Sequence, residues 1–242
     1  MKLKEANVKA NVKANVRKAL LAVVFAGSLS LAACSHDSSH QSSQSPATAG
    51  PSTGSHDRGN MDHRGNMDHS MDHGSMSLGP KDESFDLRFI DGMIPHHEGA
   101  VLMAQEALEK SSRPEIRSLA EAIIRVQEQE IDQLQAWRKA WYPNASDQPV
   151  MWHDSMNHMM PMTQDMRDAM RMAGDLGAAD DQFDRRFIDA MIPHHEGALV
   201  MAQAALEKSD RPELRSMAAE IFSSQKQEIE QMQAWRKAWY GE

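Results

Sequence analysis

The string MIPHHEGA occurs twice, at residues 93–100 and again at 191–198. Each copy sets two adjacent histidines behind a proline, in a stretch that otherwise reads as helix. On a helical wheel Met93, His96, His97 and Met103 share an arc of roughly 120°, and Met191, His194, His195 and Met201 repeat the arrangement. Two imidazoles and two thioethers on one face form a ligand set for a soft or borderline metal ion. Proline at 95 or 193 costs one backbone hydrogen bond, so a kink is expected there that re-aims the imidazoles inward. Gln127 and Glu130, and in the second copy Gln225 and Glu228, fall on the apolar face of the following helix. Buried polar groups need partners, and a Gln or Glu bond to His is what fixes the tautomer of a metal-binding ring. The same residues also suit a core in which Gln and Glu satisfy the histidines and methionine fills space.

Two further stretches carry these residue types. NMDHRGNMDHSMDHGSM supplies Met61, His63, Met67, His69, Met71, His73 and Met76. MWHDSMNHMMPM supplies Met151, His153, Met156, His158, Met159, Met160 and Met162, and Met166, Met170 and Met172 follow it. Thioether selects Cu(I) or Ag(I), whereas imidazole also accepts Cu(II), zinc and nickel. A polar linker has no need of methionine, so the first stretch and the loop portion of the second read as metal ligands. The last three methionines suit packing equally well if their segment is helical. Across the chain 19 Met and 12 His stand against two Tyr, six Phe and five Trp, so soft and imidazole ligands outnumber aromatic filler.

These ligands must be positioned by a duplicated unit. Residues 86–142 align with 184–240 at a constant offset of 98, without a gap and with about 40 of the 57 positions identical. In the first helix of the unit Phe89, Ile90, Met93, His97, Ala100, Ala104 and Leu108 mark one buried face. The second opens on Ser112-Arg113-Pro114-Glu115, matched by Asp210-Arg211-Pro212-Glu213, a capping-box pattern with proline in the first turn. Ile116, Leu119, Ala120, Ile123, Ile131, Leu134 and Trp137 mark its apolar face. A short connection makes the two helices antiparallel neighbours, so the expected fold is all-α: one four-helix bundle over 85–242, built from two helical hairpins. The connection 143–183 is expected to begin as loop and to form a short helix from Thr163 to about Gly174 or Gly177.

The first 33 residues have a basic start, a short apolar run and small residues before Cys34, the pattern of a signal peptide. Leu31-Ala32-Ala33-Cys34 resembles a lipobox, which implies lipidation at Cys34 and a lipoprotein on the periplasmic face of a bacterial membrane. Cys34 is the only cysteine, so neither an internal disulfide nor an internal thiolate cluster is available. Residues 34–84 are rich in Ser, Gly, His, Asp and Pro and nearly devoid of aliphatic side chains, the composition of a disordered tether. Without the leader the chain carries 20 basic and 34 acidic residues, a net of −14. Such acidity argues against nucleic acid or anionic lipid surfaces as partners and favours cations.

The doubled pattern Phe, two residues, Met-Ile-Pro-His-His-Glu-Gly-Ala, with Met103 and the later Glu, Ile and Trp series, resembles the ferritin-like domain of unknown function 305 family. The connection MTQDMRDAMRMAGDLGAADDQ fits it as well, and the resemblance covers about residues 80–242. It implies a four-helix bundle from both repeats. Met- and His-rich members include exported copper-binding proteins of copper resistance, which this chain resembles. Met232 matches a methionine of other members where the first repeat has Leu134, so the two half-sites are expected to differ.

Three functions are therefore in view. The first is an exported, lipid-anchored copper-binding protein that buffers Cu(I), with Cu(II) and Ag(I) as further guests, or hands it to a transport or efflux partner. The second is a ferritin-like metal oxidase, but that chemistry uses bridging carboxylates with Glu-x-x-His pairs, and no Glu stands three residues before a His in this chain. The third is a structural or interaction module. No organic cofactor and no enzymatic turnover are expected.

Overall fold

The computed structural model describes residues 76–241. Four long helices dominate it: α1 (Phe85–Lys110), α2 (Pro114–Trp141), α4 (Phe183–Lys208) and α5 (Pro212–Tyr240). Between the second and third lie β1 (Val150–His153), β2 (His158–Pro161) and a short helix α3 (Gln164–Arg171). The chain is thus a four-helix bundle of two hairpins, as the repeat implied. Helices α1 and α4 run unbroken through Pro95 and Pro193. Both outer helices begin at proline in N1, where its missing N–H is no loss. The expected capping boxes do not form: Arg113 and Arg211 occupy the N-cap positions without a side-chain cap. Ser111 and Ser209 instead accept the N–H of Arg113 and Arg211 at 3.2 Å, two residues on, as compact ST-turns.

The hairpins pack as an intramolecular pseudo-dimer. Arg113 Nε lies 3.1 Å from Asp184 Oδ2, and its mate Arg211 Nε lies 3.2 Å from Asp86 Oδ2. The Arg113 guanidinium sits 4.0 Å from the Trp239 ring centre and that of Arg211 4.3 Å from Trp141. Lys110 donates to the Gly177 carbonyl at 2.7 Å and Lys208 to that of Gly79 at 2.8 Å. Each of these three contacts between repeats therefore has a mate displaced by the repeat offset, the isologous signature of a two-fold axis.

Two apolar cores flank this axis. One joins Phe85, Phe89, Ile90, Met93 and Leu134 to Ala198, Met201, Ala202, Leu214 and Ile221. The other joins Ala100, Met103, Ala104, Ile116 and Ile123 to Phe183, Phe187, Ile188, Met191 and Met232. The first half of α1 thus meets the second half of α4, and the reverse, so the two central helices run antiparallel. Ile131 and Trp137 are only half-buried, although the spacing marked them as core.

The packed region starts upstream of the expected boundary at Phe85. Met76 and Leu78 are buried, and Arg88 donates from Nε to the Leu78 carbonyl at 2.7 Å and from Nη2 to that of Pro80 at 2.7 Å. Arg186 holds the carbonyls of Leu176 and Ala178 in the same way. The repeat therefore extends back to Leu78-Gly79 and Leu176-Gly177, where both glycines have positive φ, 72° and 85°. The loop expected at 151–162 is in fact the antiparallel hairpin β1–β2. Helix α3 ends at Arg171, short of Gly174, because Met172 turns to a left-handed φ of 49°. Its start is as read: Thr163 caps it, accepting the Met166 N–H at 3.2 Å.

Candidate metal centre

The four histidines of the two MIPHHEGA strings form a buried layer between the two cores. His96 and His194 are repeat mates, and two mates touch only on the pseudo-dyad. Their ring centres are 3.9 Å apart with planes at 46°. His97 and His195 flank them, with ring centres 6.4 and 6.2 Å from His96 and His194.

The second helices supply the partners that their apolar-face positions required. His195 Nε2 meets Glu228 Oε2 at 2.7 Å in an aligned hydrogen bond, and His97 Nε2 meets Glu130 Oε2 at 2.9 Å without that alignment. A carboxylate can only accept, so Nε2 is the ring nitrogen that donates toward it. Neither His97 Nδ1 nor His195 Nδ1 has a protein partner, although both are buried. Gln127 and Gln225 are buried as expected, but their Oε1 atoms have no hydrogen-bond partner.

The axial pair is partnered unequally. His194 Nε2 lies 3.0 Å from the carbonyl oxygen of Arg171, which donates no proton, so this nitrogen is the protonated one. Both ring nitrogens of His96 are buried without a hydrogen bond. Helix α3 creates the difference. Its last residue, Arg171, bonds Glu98 of the first MIPHHEGA at 2.8 Å, and its carbonyl lies so close over Gly99 that a Cβ would overlap it. At the mate Gly197 a Cβ would lie 3.1 Å from His96 Nε2, 3.5 Å from Met76 Cε and 3.7 Å from Met172 Sδ. The two glycines of the motif are thus close-approach positions, and His96 shares its surroundings with two methionines. Neither methionine falls on the helical wheel that identified the histidines. Nothing in the sequence set Met172 apart from the neighbouring methionines, whereas Met76 stands two residues before the Leu78-Gly79 arm that recurs as Leu176-Gly177.

Burial holds the His96 ring far below the ordinary imidazole pKa, with His194 and His97 adding charge repulsion. Burial, then His195, lowers His194 from 6.5 to about 3. Both rings are therefore neutral near pH 7, the form in which imidazole offers a lone pair to a metal. A buried unpartnered nitrogen costs a kilocalorie or more per mole, on the order of 1–3. A ligand that accepts such lone pairs removes that cost.

The methionines of the motif separate rather than converge. Met93 and Met201 lie in one core, Met103 and Met191 in the other. The expectation that Met93, His96, His97 and Met103 act as one face is met by the histidines, while the methionines split to either side of them. The first core also receives Met76, Met162 and Met170, with Met151, Met166 and Met172 at its edge. Met162, expected as a loop ligand, is fully packed there. Met156 and Met159 are exposed at the hairpin, as is His158. Among the described residues no three His, Cys, Asp or Glu side chains converge on one point. Met61, His63, Met67, His69, Met71, His73 and Cys34 lie outside the described residues.

The chain is similar to several solved structures. CopM in its Cu(II)-bound form is 39% identical, with a TM-score of 0.52 over 64% of this chain and 97% of that one. CopM in an Ag-bound form obtained by co-crystallization is 35% identical, with a TM-score of 0.50 over the same shares, 64% and 97%. A DUF305 fragment from Deinococcus radiodurans is 28% identical, with a TM-score of 0.50 over 64% of this chain and 96% of the fragment. No curated protein sequence matches. The family model for the domain of unknown function DUF305 matches over residues 34–138, which hold the first MIPHHEGA, and over 86–236, which hold both, and the chain belongs to that family.

Proposed function

We propose that this is an exported copper-binding protein, tethered through a lipid on Cys34, that buffers Cu(I) or hands it on in copper resistance or homeostasis. Its strongest support is the central layer, where buried imidazoles have unpartnered ring nitrogens and His96, Met76 and Met172 all line the space over Gly197. The Cu(II)- and Ag-bound forms of CopM, which share this helical frame, support the same class of ion. Ag(I) has the softness and charge of Cu(I), so a frame found with silver supports the monovalent state of copper as well. Oxidase chemistry has less support, because His97 and His195 each meet a single carboxylate rather than a bridging pair.

The test is a Cu(I) competition titration of the mature protein with a chromophoric chelator under reducing conditions. The expected result is tight binding that falls by at least one ion when His96, His97, His194 and His195 are replaced together by Ala. Unchanged Cu(I) binding alongside lost helicity would assign the layer to packing instead. Oxidation of added Cu(I) or Fe(II) by oxygen is expected to stop at the stoichiometry of bound ion.

A further inference from the structure

The β1–β2 hairpin sorts the ligands of MWHDSMNHMMPM by face. Its register pairs Met151 with Met160 and His153 with His158. Successive strand residues point to opposite faces, so these four share one face, and Val150, Trp152, Met159 and Pro161 share the other. Directly opposed residues have Cβ atoms about 4.5–5.5 Å apart, which puts two imidazoles and two thioethers within reach of one ion. The His153 and His158 rings are 6.4 Å apart and within 20° of parallel. His158 Nδ1 lies 3.0 Å from the Met159 carbonyl oxygen, so Nδ1 carries the proton and Nε2 keeps its lone pair. A backbone carbonyl on the second nitrogen is how metal-binding histidines are set. His153 Nδ1 is held 3.3 Å from the Ser155 hydroxyl. The face runs from the edge of the Met-rich core, which Met151 touches, out to the exposed His158.

We propose that Met151, His153, His158 and Met160 form a separate copper-class site of two imidazoles and two thioethers, at which the cargo ion enters and leaves the protein. The site deepens the metal-binding reading above and rests on it. Imidazoles hold Cu(II) and thioethers hold Cu(I), so this set serves the ion in either state. Transfer between proteins requires an incoming ligand to reach the metal. His96 and His194 are sealed between two cores, whereas His158 is open to solvent. The hairpin is also tied to the central layer: Ser77 Oγ donates to Asp154 Oδ1 at 2.9 Å, and the preceding residue, Met76, lines the same space over Gly197 as His96.

Diamagnetic Ag(I), titrated into the mature full-length chain, tests this through methionine methyl and histidine ring NMR signals. The Met151 and Met160 methyls and the His153 and His158 rings are expected to shift together. Met156, in the turn, and Met159, on the opposite face, are expected to move far less. The pair H153A/H158A is expected to abolish the Met151 and Met160 shifts while those of Met76 and Met172 persist. Ag(I) shifts at Met76 and Met172 with Met151 and Met160 silent would overturn the hairpin site and leave the copper reading standing. Equal shifts at Met159 would also overturn it, because the pleat forbids that residue to share the ion. No shift at any methionine would overturn both.

Discussion

His96 and His194, buried between two apolar cores, are held as neutral rings, and neutrality has a consequence for stability. His194 titrates at about 3 in the fold but at about 6.5 in the unfolded chain, so the unfolded state binds its proton first as pH falls. The stability is therefore complete above pH 6.5 and is lost progressively toward pH 3, by up to about 1.4 kcal/mol per pH unit for each such group. His96 adds in the same direction. We expect the urea midpoint of the metal-free protein to fall steadily between pH 7 and pH 5, above the range where ordinary carboxylates titrate. His194→Leu is expected to flatten that slope, and a midpoint independent of pH over this range would contradict the buried neutral layer. The doubled histidines and their Glu130 and Glu228 partners were legible in the sequence, because helical spacing places both on buried faces. The unequal surroundings of His96 and His194 were not, since they depend on where a connecting segment runs.

Helix α3 acts as a strap across the first MIPHHEGA. Arg171 reaches both Glu98 and Asp168 with its guanidinium, while its carbonyl occupies His194 Nε2. The strap fits only because residue 99 has no side chain. In an ordinary helix Gly→Ala is stabilising by up to about 1 kcal/mol, so the sign of the effect here separates propensity from packing. Gly99→Ala is expected to destabilise by roughly 1–3 kcal/mol and to raise amide exchange across residues 164–172. Gly197→Ala, which meets a ring edge and two flexible methionine ends rather than backbone, is expected to cost less. Thermal unfolding with exchange mass spectrometry checks both, and a stabilising Gly99→Ala would show that the strap lifts freely. At this scale the long helices followed from periodicity, and Thr163 correctly marked the start of α3. The hairpin was missed because its strands are built from Met and His with Asn at the left-handed turn position, and neither Gly nor Pro marks that turn. The arms at 78–82 and 176–180 carry a signal of their own: Leu-Gly-x-x-Asp recurs at the repeat offset, upstream of the 86–142 and 184–240 units.

The described residues form a symmetric scaffold with an asymmetric insertion. A duplicated hairpin closing on itself would give two equivalent half-sites, and the contacts of Arg113, Arg211, Lys110 and Lys208 keep that symmetry. The connection between the repeats breaks it. It delivers a carbonyl to His194 and the thioether of Met172 to the side of His96, where the arm adds Met76. A soft ion entering the layer therefore finds thioethers beside one histidine and an occupied nitrogen on the other. His96→Ala is expected to weaken Cu(I) or Ag(I) binding at the central layer roughly tenfold more than His194→Ala, a difference of about 1.4 kcal/mol. Competition titration gives the affinities, and the Met76 and Met172 methyl signals report whether the same ion is being followed. Met172→Leu is expected to act with His96→Ala non-additively, as residues sharing one ligand do, and additively with His194→Ala. Equal losses at His96 and His194 would mean that the ion sits on the pseudo-dyad and that the connection merely packs. The reverse order would require the Arg171 carbonyl to yield, making the strap itself the element that metal displaces.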